Sequence, residues 1–92
     1  MTIGRVSLGV PYFAPTVLTG TAGETLRLHL TNTTPARHNF SVPSEGIDVD
    51  VSPGASADVV VVFPARGLAV YICKYHAEEG QAGELCVGGT SC

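Results

Sequence analysis

Thr25-Leu26-Arg27-Leu28-His29-Leu30-Thr31 alternates apolar and polar residues without a break. In an extended chain successive side chains point to opposite faces, so Leu26, Leu28 and Leu30 share one face and Arg27 and His29 the other. This is the pattern of a strand with one face on a core and one in water. The same period returns downstream, where Ile47, Val49 and Val51 alternate with Asp48 and Asp50. Ala57–Phe63 is rich in β-branched residues, which predicts a strand buried on both faces. Leu68–Cys73 and Glu84–Val87 predict two more strands. Clusters of Gly, Pro, Ser and Thr separate these runs at Thr19–Glu24, Thr31–Pro35, Pro43–Gly46, Ser52–Ser56 and Pro64–Gly67. No stretch of about ten residues carries the i, i+3, i+4 spacing of a helix, and Tyr75–Gln81 is too short for more than a turn or two. Short strands with turns every 8–12 residues or so predict an all-β sandwich or barrel.

The chain has 92 residues, of which 45% are hydrophobic and 14% charged. That balance excludes a disordered segment and predicts a single domain over 1–92, with the tail 88–92 either loose or bridged. Five basic against eight acidic residues give a net charge of −3, so no basic footprint for nucleic acid exists. The longest apolar run, Leu68 to Cys73, falls far short of the roughly 20 residues that span a bilayer, and no membrane insertion is expected. The start, Met1 to Val10, lacks a basic segment followed by an apolar core, so no signal peptide is expected there. The chain reads as cytosolic, or as a mature or excised domain.

Three cysteines is an odd number, so at least one has no partner within the chain. Cys73 follows an apolar strand, His76 comes three residues later, and Gln81 five after that. A loop of this length can turn all three side chains toward one point, and a thiolate with an imidazole is a plausible ligand pair. A lone C-x-x-H is weakly specific, since zinc sites share it, but no second Cys or His pair is present to close a zinc finger. Far upstream, Arg37-His38-Asn39-Phe40-Ser41-Val42 puts a histidine at a strand entrance. His38, Cys73 and His76 complete a His2Cys set, which with a weak fourth ligand marks a mononuclear electron-transfer copper site. His29, sharing a face with Arg27, reads as a surface residue. Cys86 and Cys92 are then an even pair. If Leu85 and Val87 face the core, Cys86 faces out. The two thiols either bridge, stay free, or pair through Cys92 between molecules.

These residues carry a resemblance that covers nearly the whole chain. Phe13 to Leu26 (F-A-P-x-x-L-x-G-x-A-G-E-T-L), His38-Asn39-Phe40, the Ser52-Pro53-Gly54 turn, Tyr71-Ile72-Cys73-Lys74-Tyr75-His76 and Gly83-Glu84-Leu85 resemble a cupredoxin, a blue copper protein of the small plastocyanin- or pseudoazurin-like kind. The resemblance implies a Greek-key β-sandwich of about seven to eight strands. It implies one copper ion, Cu(I) or Cu(II), held by His38, Cys73 and His76, with an axial ligand at position 81. Gln81 stands where the family usually has Met, as in the stellacyanin-like branch. An amide oxygen is a harder donor than a thioether, so it favours Cu(II) and a lower reduction potential. The resemblance also implies that Asn39 holds the two ligand segments together and donates a hydrogen bond to the Cys73 sulfur. Glu78 and Glu79 read as solvated charges, with a carboxylate ligand as the minor alternative.

The function implied is one-electron transfer, through a His76 more exposed than the other ligands. The redox partner would dock transiently beside it on the apolar neighbours Pro35, Ala36 and Ala77, with the chain itself a monomer. Two alternatives stand beside it. A copper-delivery module would bind the metal without cycling it, although the chain has no methionine at the site. A larger membrane-anchored oxidoreductase could receive its electrons through this domain. An enzyme in its own right is not expected, because the His-x-His pairs of a trinuclear copper cluster and any nucleophilic triad are missing. A Cys86–Cys92 bridge would favour an extracytoplasmic home, periplasmic or at the cell surface.

Overall fold

The computed structural model describes residues 1–5, 11–76 and 80–87. Nine strands lie among them: β1 (Thr2–Arg5), β2 (Pro11–Ala14), β3 (Val17–Gly20), β4 (Thr25–Asn32), β5 (His38–Val42), β6 (Ile47–Val51), β7 (Ser56–Val62), β8 (Leu68–Ile72) and β9 (Ala82–Val87). They form two mixed sheets, one of four strands in the order β2-β1-β4-β7 and one of five in the order β3-β9-β8-β5-β6. The pairs β1–β4 and β3–β9 are parallel, and the other pairs are antiparallel. The strand count exceeds the seven or eight expected because the corner at Pro15-Thr16 splits one stretch into β2 and β3, which pair in different sheets. The only helix among the described residues is a single 3-10 turn, Pro43–Glu45. None there is long and apolar enough to cross a membrane.

The core forms where the inner faces meet. Ile3, Phe13, Leu28, Leu30, Val59 and Val61 come from the four-stranded sheet, and Phe40, Val42, Val51, Tyr71 and Leu85 from the other. The alternation in β4 is as read, with Leu28 and Leu30 buried and Arg27 and His29 exposed. The expectation for Ala57–Phe63 needs correction. Only alternate residues of β7 are buried, and Val60 and Val62 are 49% and 43% exposed. β7 is the edge of a sheet with one face in solvent, so its valines reflect β propensity rather than two-sided burial. On that edge the Val62 N–H donates to the Glu45 carboxylate at 2.9 Å.

Phe13, Phe40 and Tyr71 pack edge-to-face or tilted, with ring centroids 5.1–6.0 Å apart. The Tyr71 hydroxyl donates to the main-chain carbonyls of Pro15 and Thr16, and burial pushes its phenol well above the ordinary value. The ring belongs to the same buried cluster as Cys73. Leu85 faces the core and Cys86 the opposite side of β9, as expected, but Cys86 is not outwardly open: it is 2% exposed. β9 is an inner strand, with Thr19 and Leu68 flanking Cys86, and the sulfur is disulfide-bonded. Cys92, its partner in the bridged alternative, and the whole tail 88–92 lie outside the described residues.

Gly83 sits opposite Tyr71 in the β8–β9 pair. A Cβ there would fall onto the Tyr71 ring and the Thr16 carbonyl. Gly83→Ala is therefore expected to destabilise by about 1–3 kcal/mol or more, read as a lowered midpoint in denaturant unfolding. An unchanged midpoint would mean that Tyr71 does not hold this position.

Candidate metal centre

One end of the sandwich gathers the polar residues that the core excludes. His38 opens β5, Cys73 follows the last residue of β8, and Gln81 precedes β9, so three neighbouring strands deliver their ends to one place. The segment between Cys73 and Gln81 closes on itself. The His76 N–H donates to the Cys73 carbonyl at 3.0 Å, the Gln81 N–H to the His76 carbonyl at 3.2 Å, and the Cys73 N–H to the Gln81 carbonyl at 3.0 Å. Gly80 lets the chain return, with φ of +90°, a conformation that side-chain-bearing residues rarely adopt. On the other side, buried Asn32 fixes the approach to His38. Its amide donates to the carbonyls of Ala36 and Val51 at 2.8 and 3.0 Å, and its oxygen accepts from the Thr34 N–H and hydroxyl.

The ligand-type atoms converge. His38, Cys73 and His76 each bring one donor atom within 4.8 Å of the others. The Cys73 sulfur lies 3.3 Å from His76 Nδ1 and 3.9 Å from His38 Nδ1. The two imidazole rings are tilted, with centroids 4.6 Å apart. Gln81 Oε1 is 2.9 Å from His38 Nδ1, and its amide nitrogen donates to the Tyr12 carbonyl at 3.2 Å. That second bond turns the amide so that its oxygen, not its nitrogen, faces the cluster. His38, Cys73 and Gln81 are fully buried, whereas His76 is half-buried. Glu78, Glu79 and Ala77 lie outside the described residues.

Asn39 joins the two ligand segments. Its main-chain N–H donates to the Cys73 sulfur at 3.3 Å, and its side-chain oxygen accepts from the Lys74 N–H at 3.2 Å and the Ser41 hydroxyl at 2.5 Å. Its amide nitrogen donates to Asp48 at 2.7 Å and Asp50 at 2.9 Å.

No family model and no curated protein sequence matches this chain. Solved structures do. A reduced auracyanin from the photosynthetic bacterium Roseiflexus castenholzii superposes with a TM-score of 0.70 at 19% identity, over 95% of this chain and 94% of that one. Auracyanin A, a "blue" copper protein from Chloroflexus aurantiacus, gives 0.70 at 20% identity, over 96% and 97%. The multicopper oxidase mgLAC gives 0.75 at 18% identity, over 94% of this chain but 37% of that one. This chain has the cupredoxin fold.

Within that fold the donor set fits one copper ion. Metal–nitrogen and metal–sulfur bonds of about 2.0–2.3 Å place neighbouring ligand atoms on the order of 3–4 Å apart, as the Cys73 sulfur is from each Nδ1. One thiolate and two imidazoles are the soft and borderline donors that suit copper, and the neutral Gln81 oxygen adds a harder, weaker fourth. All four residues singled out in the sequence meet here. Sequence reasoning missed the residues behind Asn39. Ser41, Asp48, Asp50, Lys74 and Tyr75 all join its network, because the Lys74 ammonium donates to Asp48 at 3.0 Å and the Tyr75 hydroxyl to Asp50 at 2.9 Å. The available signal was the matched alternation of His38-Asn39-Phe40-Ser41 and Asp48-Val49-Asp50, which pairs Asn39 with Asp50 and Ser41 with Asp48 across two strands.

The Asn39 amide, helped by Lys74, holds the Asp48 carboxyl below its ordinary 3.8. The same amide, helped by the Tyr75 hydroxyl, does so for Asp50. A carboxyl depressed by folding stabilises the folded state at pH values above the unfolded-chain value, and loses that contribution as pH falls through the folded one. The metal-free protein is therefore expected to lose stability as the pH drops below 3.8. Asp48→Asn/Asp50→Asn is expected to lose less over the same range. Unfolding midpoints of both proteins between pH 6 and pH 2.5 check this, and parallel curves would refute it.

Proposed function

We propose that the protein is a one-electron carrier with a single copper ion held by His38, Cys73 and His76 and, more weakly, by Gln81. The carrying observation is the convergence of one sulfur and one imidazole nitrogen from each of two histidines within 4.8 Å at one end of a β-sandwich. A copper ion bound there would supply the Cu(I)/Cu(II) couple. The chain's own residues do the rest. His38, Cys73 and Gln81 are buried, which keeps water from the donor atoms. The strands that end at these residues fix the donors, so little rearrangement accompanies a change of charge. The Asn39 N–H at the sulfur draws electron density from the thiolate and holds its direction. Gln81, turned by Tyr12, offers an oxygen and lowers the potential relative to a thioether.

His76 is the half-buried ligand and the route for electron exchange. A redox partner docks there transiently, beside exposed Pro35 and partly exposed Ala36, over an interface below about 1,200 Å². The carrier works as a monomer, without nucleic acid or membrane insertion. The disulfide-bonded Cys86 supports an extracytoplasmic, oxidising location, periplasmic or at the cell surface. The likeness to part of a multicopper oxidase favours a second reading, in which the domain feeds electrons into a larger oxidoreductase.

Cu(II) added to the metal-free protein tests the first reading. An intense visible absorption from sulfur-to-copper charge transfer is expected in the wild type, absent in Cys73→Ser and retained in Gln81→Met with a higher potential. No visible band in the wild type would sink the copper-carrier reading. A lower potential in Gln81→Met would remove Gln81 from the ligand set.

A further inference from the structure

Asp48 and Asp50 lie two positions apart on β6, the edge strand of the five-stranded sheet, and both are exposed. Two like charges on one face of one strand repel, and exposed ion pairs contribute little to stability. Their placement is explained by what they hold. The Asn39 side chain is fully buried and has two N–H donors and one oxygen with two acceptor positions. All four are used: the donors by Asp48 and Asp50, the oxygen by Ser41 and the Lys74 N–H. Ionised carboxylates only accept. They therefore dictate that the Asn39 nitrogen faces β6 and its oxygen faces Lys74. In the reversed orientation the oxygen would meet two carboxylates, and the amide nitrogen would meet the Lys74 N–H.

The correct orientation pins Cys73 from two sides. Its sulfur accepts from the Asn39 N–H, and the N–H of the next residue is held by the Asn39 oxygen. The ring closes because Lys74 and Tyr75, on the ligand segment itself, bind Asp48 and Asp50 in turn. We propose that Asp48 and Asp50 are positioning residues that set the direction of the Cys73 sulfur by orienting Asn39. This rests on the reading of the site as a copper centre.

The test compares two double variants that both lack the two charges. Asp48→Asn/Asp50→Asn keeps side-chain oxygens that can accept from Asn39, and Asp48→Ala/Asp50→Ala does not. Any effect of charge alone is common to both. In the metal-free protein, amide hydrogen exchange at Lys74 and Asn39 is expected to be about five- to tenfold faster in the alanine variant than in the asparagine variant, the factor that one lost hydrogen bond supplies. In the copper-loaded proteins, the alanine variant is expected to show a shifted visible band and a lower potential than the asparagine variant, because a loosened N–H to the sulfur leaves the thiolate more electron-rich. Equal exchange rates in the two variants would overturn the proposal. So would faster exchange without any difference in band or potential, since the sulfur would then be indifferent to Asn39. The single Asp48→Ala and Asp50→Ala variants carry the same comparison if the double alanine variant does not fold. A wild type without a visible band would fail the copper reading, while the exchange comparison would still decide whether the carboxylates orient Asn39.

Discussion

The main-chain N–H of Asn39 points at the sulfur of Cys73, and the architecture of this end of the molecule follows from keeping it there. The two residues are far apart in sequence and meet because β5 and β8 are neighbours, with Ser41 opposite Ile72. Once Asn39 lies beside Cys73, the strand period turns His38 to the inner side of the sheet, toward the sulfur. The short turn from Cys73 then brings His76, and the return through Gly80 brings Gln81. Each residue is held by main-chain geometry first and by side-chain chemistry second. A site built this way is organised by strand pairing.

Buried polar groups in a small β-sandwich are costly unless each finds a partner. Among the described residues, the buried polar residues Asn32, Asn39 and Gln81 gather at one end. Asn32 fills its bonds with the loop before His38, Asn39 with the β6 carboxylates and the ligand segment, and Gln81 with Tyr12 and His38. Below them the aromatic trio of Phe13, Phe40 and Tyr71 forms a dry floor. The boundary between the two regions is one residue thick along β5, where His38 and Asn39 give way to Phe40. The same strand thus supplies the site and the core, and disturbance of either reaches the other directly.

Much of this was legible in the residues. Alternation alone placed β4 and β6, and the turn clusters bounded β7 and β8. The His2Cys set stood out because a thiol and an imidazole so close in sequence, with a second histidine at a strand entrance, have few other uses in a chain so poor in both. What the sequence hid was tertiary. The valines of β7 look doubly buried, since composition reports β propensity and not which side of a strand is covered. The role of Asp48 and Asp50 depends on register, and alternating acids on an amphipathic strand look like ordinary solvated charges until β5 is laid beside them. The burial of Cys86 is tertiary as well, since Leu68 and Val70 on the neighbouring strand remain exposed and no local pattern distinguishes them.

The Glu45 carboxylate that receives the Val62 N–H has a consequence for life at high concentration. β7 is a seven-residue, valine-rich margin, and its outward valines are the kind of surface on which a strand from another molecule could assemble. A guest strand needs the free N–H groups of that margin. Glu45 already occupies one of them, and it brings a negative charge to the place where a hydrophobic guest would have to lie. One acidic side chain, set on a 3-10 turn between two strands, thereby acts as a stopper against lateral sheet growth along β7.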